Sequence, residues 1–523
     1  MKKLLYLFSI IIVIPITSVN AKVSPIDFGL LQAKTGVEKY RILLFTHQTA
    51  LKYGTDVDYT GIKNIDIEIP VDAKSIPLTR KNDFNNIVLN VTNNSKDIIL
   101  FTTDYLLEPI VVTGNMVKKR RYSVLKELSR HSPVLLIVED KEPWIQTREA
   151  YKYGVMRKEA LLIKNGRSVF QTIGSYDNDT EVSAYYRLVD NLGTEICNLT
   201  FNRTKDSTKK TFLFKVENEN NVRINNIVAY TPPSKLTGDV LMAVNNSTNV
   251  TFRGVSINNT YSTYNEFGYG INMNNVTNAT FEHLYANGNW GVFGTYSVNT
   301  VCLKECNLNR FDIHCYGRDV RCENCTFHDL YNQFSSFYGS LYYKSCTFKD
   351  FIPVSIEMSF NAYTGFDVFF EDCILSTTNR NHELINVGRL DDQISPRVQL
   401  KEKCWPNVTI KNLMVYAEYG SNPLYLYRVR GDITYPVPVG YLSSISIDGL
   451  TYQLSEDAHP IKDIYICSAK ILTSNNLKIS LKNIDLSLKD SKKGNIEIML
   501  RGVSQNDKIK TRKLNSHLKK VEL

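Results

Sequence analysis

Past residue 21 the sequence has no apolar run long enough to span a membrane, so no helical span is expected. No cysteine stands directly after the region around Ala21, which argues against a bacterial lipid anchor. Zinc-like ligand pairs are also missing. Cys322 and Cys325 form a Cys-x-x-Cys, but both fall at inward strand positions and no second pair has matching spacing. Acidic residues are outnumbered, 53 against 62 basic, for a formal charge of +9. Removing Lys2 and Lys3 with the first 21 residues leaves +7, a mild excess that suits an acidic ligand.

What the sequence does contain is a degenerate motif repeated ten times. It reads apolar, spacer, apolar, two turn-like residues, then a third apolar position. The starts are Val222, Val250, Ala279, Val301, Val320, Leu341, Val368, Val408, Ile445 and Ile479. Alternation is the strand period. The two intervening residues, such as Lys411–Asn412 or Glu323–Asn324, make a corner, because Asn tolerates left-handed backbone angles. A third strand lies about eight residues upstream of most copies: Gly270–Met273, Gly291–Gly294, Asp312–Cys315, Ser355–Met358, Glu383–Val387 and Leu424–Tyr427. Three strands per coil, with starts as close as 19 residues, predict an all-β chain folded as a right-handed parallel β-helix. The longer spacings place inserted loops after Met358, Val387 and Tyr427.

Cys306, Cys325, Cys346 and Cys373 occupy the third apolar position of successive coils. They are expected to form a ladder of free, buried thiols rather than disulfides. Met1 to Ala21 reads as an export signal, with two lysines, an apolar run and small residues at Val19–Asn20–Ala21. Residues 22–75 read as an N-terminal cap. Its amphipathic helix runs from Thr35 to Gly54, with Val37, Tyr40, Leu43, Leu44, His47 and Leu51 at helical spacing. Residues 76–204 are read as early irregular coils, using Ile87–Val91, Ile98–Phe101, Val134–Val138 and Leu161–Lys164, with a helical insertion around Tyr122–His131. Residues 205–490 are the regular helix, and 491–523 a last strand and a mobile basic tail. The Lys-, Asn-, Ile- and Tyr-rich composition points to a periplasmic or secreted Gram-negative bacterial protein.

The coils, Asn corners and capping helix resemble the pectate-lyase-like superfamily of right-handed parallel β-helix proteins, over roughly Asp66 to Leu486. The resemblance is architectural. Neither the calcium-binding Asp cluster of pectate lyases nor the closely spaced Asp pairs of polygalacturonases is present. It implies a carbohydrate-active protein whose groove follows the outer face of one strand per coil. The register then predicts an outward ladder of Lys215, Ala243, Asn272, Phe293, His314, Ser335, Glu357 and Asn386.

The richest segment is Arg310 to Asp319, where Asp312, His314 and Tyr316 are expected to face outward with Arg318 in the next turn. A polysaccharide lyase acting on a uronic-acid glycan needs a base, an acid and a group neutralising the carboxylate. His314 suits the base, Tyr316 the acid, and Arg318 or Arg389 the neutralising group. A glycoside hydrolase would use Asp312 with Glu357, two carboxyls at a separation compatible with inversion. A non-catalytic glycan binder would use the same ladder. Lys215, Asn272, Phe293, Asn361, Tyr363 and Arg389 are the expected substrate contacts, with Tyr269, Tyr425, Tyr427, Arg428 and Arg430 extending them. No metal site or cofactor is expected; a calcium ion at Asp391 and Asp392 is the alternative. The expected partner is an acidic polysaccharide, with no nucleic acid and no membrane, bound by a monomer.

Overall fold

The computed structural model describes residues 22–103, 105–141, 156–174, 176–231, 240–259, 269–287, 291–313, 315–334, 337–356, 366–377, 383–387, 406–417, 423–429, 444–455, 463–468, 477–486, 496–503 and 507–521. The ten repeat starts stack in a single in-register row, from Val222 over Val250 and Ala279 through to Ile445 over Ile479. All pairings between coils are parallel, and the inward side chains make one continuous apolar core. The fold is therefore the right-handed parallel β-helix predicted from the repeat. Rings stack along the interior, as between Phe327 and Phe348 (5.7 Å) and between Tyr343 and Phe370 (5.3 Å).

The corner after each repeat is left-handed on every described coil. Asn198, Asn226, Gly254, His283, Glu305, Asn324, Ser345, Asp372, Asn412, Gly449, Asn483 and Lys513 all have positive φ. Amides then bond up the stack, Asn226 to Asn198 (3.1 Å) and Asn412 to Asp372 (2.9 Å). These bonds offset part of the cost of left-handed backbone at a non-glycine residue. The residue just before the corner alternates in sign from coil to coil: Arg253, Glu282, Lys304, Glu323, Lys344, Glu371, Lys411, Asp448, Lys482. Each exposed contact is worth little. A slip of one coil, however, would oppose like charges along the whole row, so the alternation favours this register.

The thiol ladder is present. Cys306, Cys325, Cys346 and Cys373 are buried and free, and each thiol donates to a backbone carbonyl, as Cys306 to Lys304 (3.3 Å) and Cys346 to Cys322 (3.4 Å). Helix α1, Gly36–Tyr53, is capped by Thr35 in a capping box with Glu38 and ends on left-handed Gly54. It closes the open first coil through Tyr40, Leu43, Thr46, His47 and Ala50; Leu51 faces solvent. His47 is fully buried. Its Nδ1 lies 2.9 Å from the Pro77 carbonyl and its Nε2 2.7 Å from the Tyr59 hydroxyl. A carbonyl only accepts, so Nδ1 carries the proton and the Tyr59 hydroxyl donates to Nε2.

Two expectations are corrected here. Val134–Val138 and Leu161–Lys164 are not coil strands. They belong to an antiparallel five-stranded sheet, with Glu108–Ile110, Arg167–Ser168 and Val182–Leu188, inserted between the coil strands Ile98–Thr102 and Glu195–Arg203. One face of this sheet packs on its own short helices through Val134, Leu136, Val138, Leu161 and Ile163. The other buries Leu135, Ile137, Ala160 and Leu162. The C-terminal stretch is not merely a tail either: Glu497–Arg501, Lys508–Leu514 and Leu518–Val521 add strands to the end of the stack.

Candidate functional site

One face of the helix becomes a separate sheet of eight parallel strands from Asp312 onward. In order they are Asp312–Ile313, Tyr331–Phe334, Ile352–Ile356, Glu383–Val387, Leu424–Val429, Asp463–Ser468, Glu497–Arg501 and Leu518–Val521. Ile313, Phe334, Ile356, Val387 and Val429 stack into the core. The preceding residues therefore form an outer row: Asp312, Gln333, Ser355, Asn386, Arg428, Ser468 and Arg501. The sequence segments 357–365, 388–405 and 430–443 follow directly on three of these strands, where insertions were expected.

The upper end of the row is a buried polar cluster. Arg310 Nε donates to Asp312 Oδ1 (2.6 Å) and Arg310 Nη2 to Gln333 Oε1 (2.6 Å), and the guanidinium lies 4.3 Å from the centre of the Tyr331 ring. The Tyr269 hydroxyl reaches the other Asp312 oxygen at 3.4 Å. Burial pushes the Asp312 carboxyl up to about 6, against the pull of Arg310. Asp312 thus sits in the outer row, but as half of a fully buried ion pair rather than as the exposed carboxylate expected.

The lower end is more open. Arg428 bonds Glu383, lies 4.2 Å from the centre of the Tyr425 ring, and leaves about a third of its side chain in solvent. Tyr425 stacks on Tyr465 at 4.9 Å and 20°. Ser468 and Arg501 continue the row on the next two coils.

The other sequence candidates divide. Lys215, Ala243 and Asn272 do share one row on earlier coils, and the buried Asn272 Oδ1 has no hydrogen-bond partner. Lys215 is held by Glu217 at 2.7 Å. Phe293 is displaced: it pairs with Ile271, an inward position, and Gly294 takes the place beside Asn272. Asn386 belongs to the row of Asp312 and Ser355.

Tyr316 is fully buried with φ of 60°, so it does not face outward as an acid. Arg318 is spent on structure. It donates to the Ile173 carbonyl (3.3 Å) and to Asp319 (3.1 Å), fastening the inserted sheet to the coils. Asp319 in turn accepts from the Ser340 amide at 2.8 Å, beside Gly339, where a Cβ would sit 2.1 Å from that carboxylate. Tyr427 is buried in the row of Ile385. His314, Glu357, Asn361, Tyr363, Arg389, Asp391, Asp392 and Arg430 lie outside the described residues. No cluster of metal-binding side chains occurs among the described residues.

Gln333, Tyr331, Glu383, Tyr465, Ser468 and Arg501 were not singled out from the sequence. The motif that betrayed the coils marks only inward positions. Tyr425 and Tyr465 fall at different offsets from their repeat starts, so the motif does not bring them into one row.

No family model matches the sequence, and no curated protein is significantly similar to it. Solved structures do match. The tailspike protein gp49 of Pseudomonas phage LKA1 superposes with a TM-score of 0.58 at 13% identity, covering 91% of this chain and 82% of that one. The tailspike gp61 of Pseudomonas phage phi297 gives 0.50 at 13%, with 92% and 84% covered. At that identity the likeness is one of fold alone.

Proposed function

We propose that this chain is an exported glycan-binding protein that degrades an acidic polysaccharide, with the glycan lying along the outer face of the eight-stranded sheet. The observation that carries the reading is the outer row itself. Polar side chains at Ser355, Asn386, Arg428, Ser468 and Arg501 repeat at about 4.8 Å, beside the rings of Tyr425 and Tyr465. Rings take the apolar face of a sugar, and polar groups in register take its hydroxyls. The tailspike folds support this reading by analogy only, and placement within the pectate-lyase-like superfamily is part of the proposal.

β-Elimination on a uronate is the favoured chemistry. A base removes the proton α to the carboxylate, the bond from the β-carbon to the glycosidic oxygen breaks, and the leaving oxygen takes a proton. A guanidinium must hold the carboxylate as negative charge builds on it. Arg318 and Tyr316 are engaged in packing, and His314 remains the proposed base; Arg428, four coils beyond the strand that His314 follows and so about 19 Å along the row, would hold the anion of a different sugar of the same chain. The hydrolytic route is less well supported. Its pair would be Asp312 with Glu357, which lies outside the described residues; the described carboxyl of the same sheet, Glu383, is three coils from Asp312, at least about 14 Å, beyond the span of an inverting pair.

The test is to incubate the mature protein with a panel of acidic and neutral polysaccharides and follow chain length and ultraviolet absorbance together. Shortening with a rise in absorbance from an unsaturated uronide supports the lyase. Shortening without it replaces elimination by hydrolysis. Binding without shortening removes the catalytic half of the proposal, and no interaction with any glycan overturns all of it.

A further inference from the structure

We propose that Asn386, Arg428, Ser468 and Arg501, with the stacked Tyr425–Tyr465 pair, form an anion-selective saccharide subsite for a glycan bearing one carboxylate or sulfate per disaccharide. This rests on the glycan-binding reading above and names the substrate class within it.

The four residues share one register row on consecutive coils. Arg428 and Arg501 are two coils apart, which places their strands about 10 Å from each other. Neither guanidinium is saturated. Arg428 makes a single hydrogen bond, to Glu383, although its fork offers five N–H donors. Arg501 makes none, and its Nε is buried without a partner. A buried donor left unpaired is costly, and an anionic acceptor removes that cost.

Asn386 adds the complementary group. It is 7% exposed, lies between the core residues Ile385 and Val387, and its Oδ1 is buried with no partner. That oxygen is an acceptor for a sugar hydroxyl. Ser468, also nearly buried, lies between the two arginines in the row.

Of the four residues of this stretch of the row two are arginines and none is acidic, and Glu383, the carboxylate that Arg428 meets, is almost wholly buried, so the row favours an anion. The spacing selects the repeat. With guanidiniums on alternate coils and a hydroxyl between them, an anion on every second sugar meets Arg428 and then Arg501, and the intervening sugar lies on the tyrosine pair. A glycan charged on every sugar would set an anion against Ser468, which carries no charge. Planar, bidentate recognition suits carboxylate and sulfate alike.

The experiment measures binding, or KM where the probe is cleaved, for the wild type, Arg501→Gln and Arg428→Lys. The probes are hyaluronan oligosaccharides (a uronate on every second sugar), chondroitin sulfate oligosaccharides before and after desulfation (an anion on every sugar before, on every second sugar after), oligogalacturonate (a uronate on every sugar) and neutral cello-oligosaccharides. Arg501→Gln removes no hydrogen bond within the protein, and Arg428→Lys keeps a cation beside Glu383, so both should fold; circular dichroism checks this. The expected result is preference for the alternating anionic probes, weakened about tenfold or more by Arg501→Gln, with a shallower salt dependence. Retained binding after desulfation assigns carboxylate, and lost binding assigns sulfate. Equal binding of neutral probes, preference for oligogalacturonate, or unchanged affinity in both variants overturns the subsite and leaves the glycan-binding reading standing. Failure of every probe and of the wider polysaccharide panel overturns both.

Discussion

Acid should unlock the N-terminal cap, and His47 sets where. The ring is fully buried between the Pro77 carbonyl and the Tyr59 hydroxyl, and burial lowers its pKa from 6.5 to about 4. A folded-state value below the unfolded one means the fold holds the neutral ring. Its contribution is therefore complete above about pH 6.5 and is lost as pH falls toward 4. Moving the pKa from 6.5 to about 4 corresponds to about 3 kcal/mol in total, of which about 2 kcal/mol is gone by pH 5. The assay is urea unfolding between pH 8 and 4, paired with limited proteolysis of the segment before Tyr59, for the wild type and His47→Phe. The variant leaves the Tyr59 hydroxyl and Pro77 carbonyl without their partner, so it should be weaker at pH 8 by roughly 1–3 kcal/mol. Its stability should then fall less steeply with acid, and the two curves should converge near pH 4. Parallel curves, or a His47 titration near 6.5 in the folded protein, would refute the reasoning.

Three further outcomes follow from the packing. Asn412→Ala keeps a side chain at φ of 52° and deletes the amide bond to Asp372, so unfolding free energy should drop by about 1–3 kcal/mol; Asn412→Gly should recover part of it. In native protein Cys306, Cys322, Cys325, Cys346, Cys373 and Cys467 should resist iodoacetamide and react only in denaturant, while dithiothreitol leaves the melting temperature unchanged; a drop on reduction would contradict the free-thiol ladder. Arg318→Ala should loosen the inserted sheet, raising protease cleavage within 105–190, with little change in glycan turnover. Loss of turnover with an intact inserted sheet would return Arg318 to the catalytic role first read from the sequence.

The coils were legible because their physics is local. An inward residue every second position is written in the motif, most corners carry Asn, Asp or Gly although His283, Glu305, Ser345 and Lys513 do not, and Val222 to Ile479 stack as the repeat implies. The inserted sheet was not legible. Val134–Val138 and Leu161–Ile163 are buried on both faces, so they show no alternation, and an apolar run does not tell parallel pairing from antiparallel. The site was half legible for a related reason. Register gives which side of a strand a residue takes, not what covers that side. Asp312 lies in the outer row yet is enclosed by Arg310, Tyr269 and Gln333, and Arg318 meets a sheet that its own coil gives no sign of. Phe293 was misplaced by one position, and one position exchanges the faces.

The central claim, that a glycan lies along the outer face of the eight-stranded sheet, is tested most directly by hydrogen–deuterium exchange with and without the best-binding acidic oligosaccharide. The account predicts protection concentrated in Ile352–Ile356, Glu383–Val387, Leu424–Val429 and Asp463–Ser468, with the strands Phe337–Lys344 and Phe366–Glu371 on another face unchanged. Protection on those last two strands instead, or on the inserted sheet alone, would contradict it.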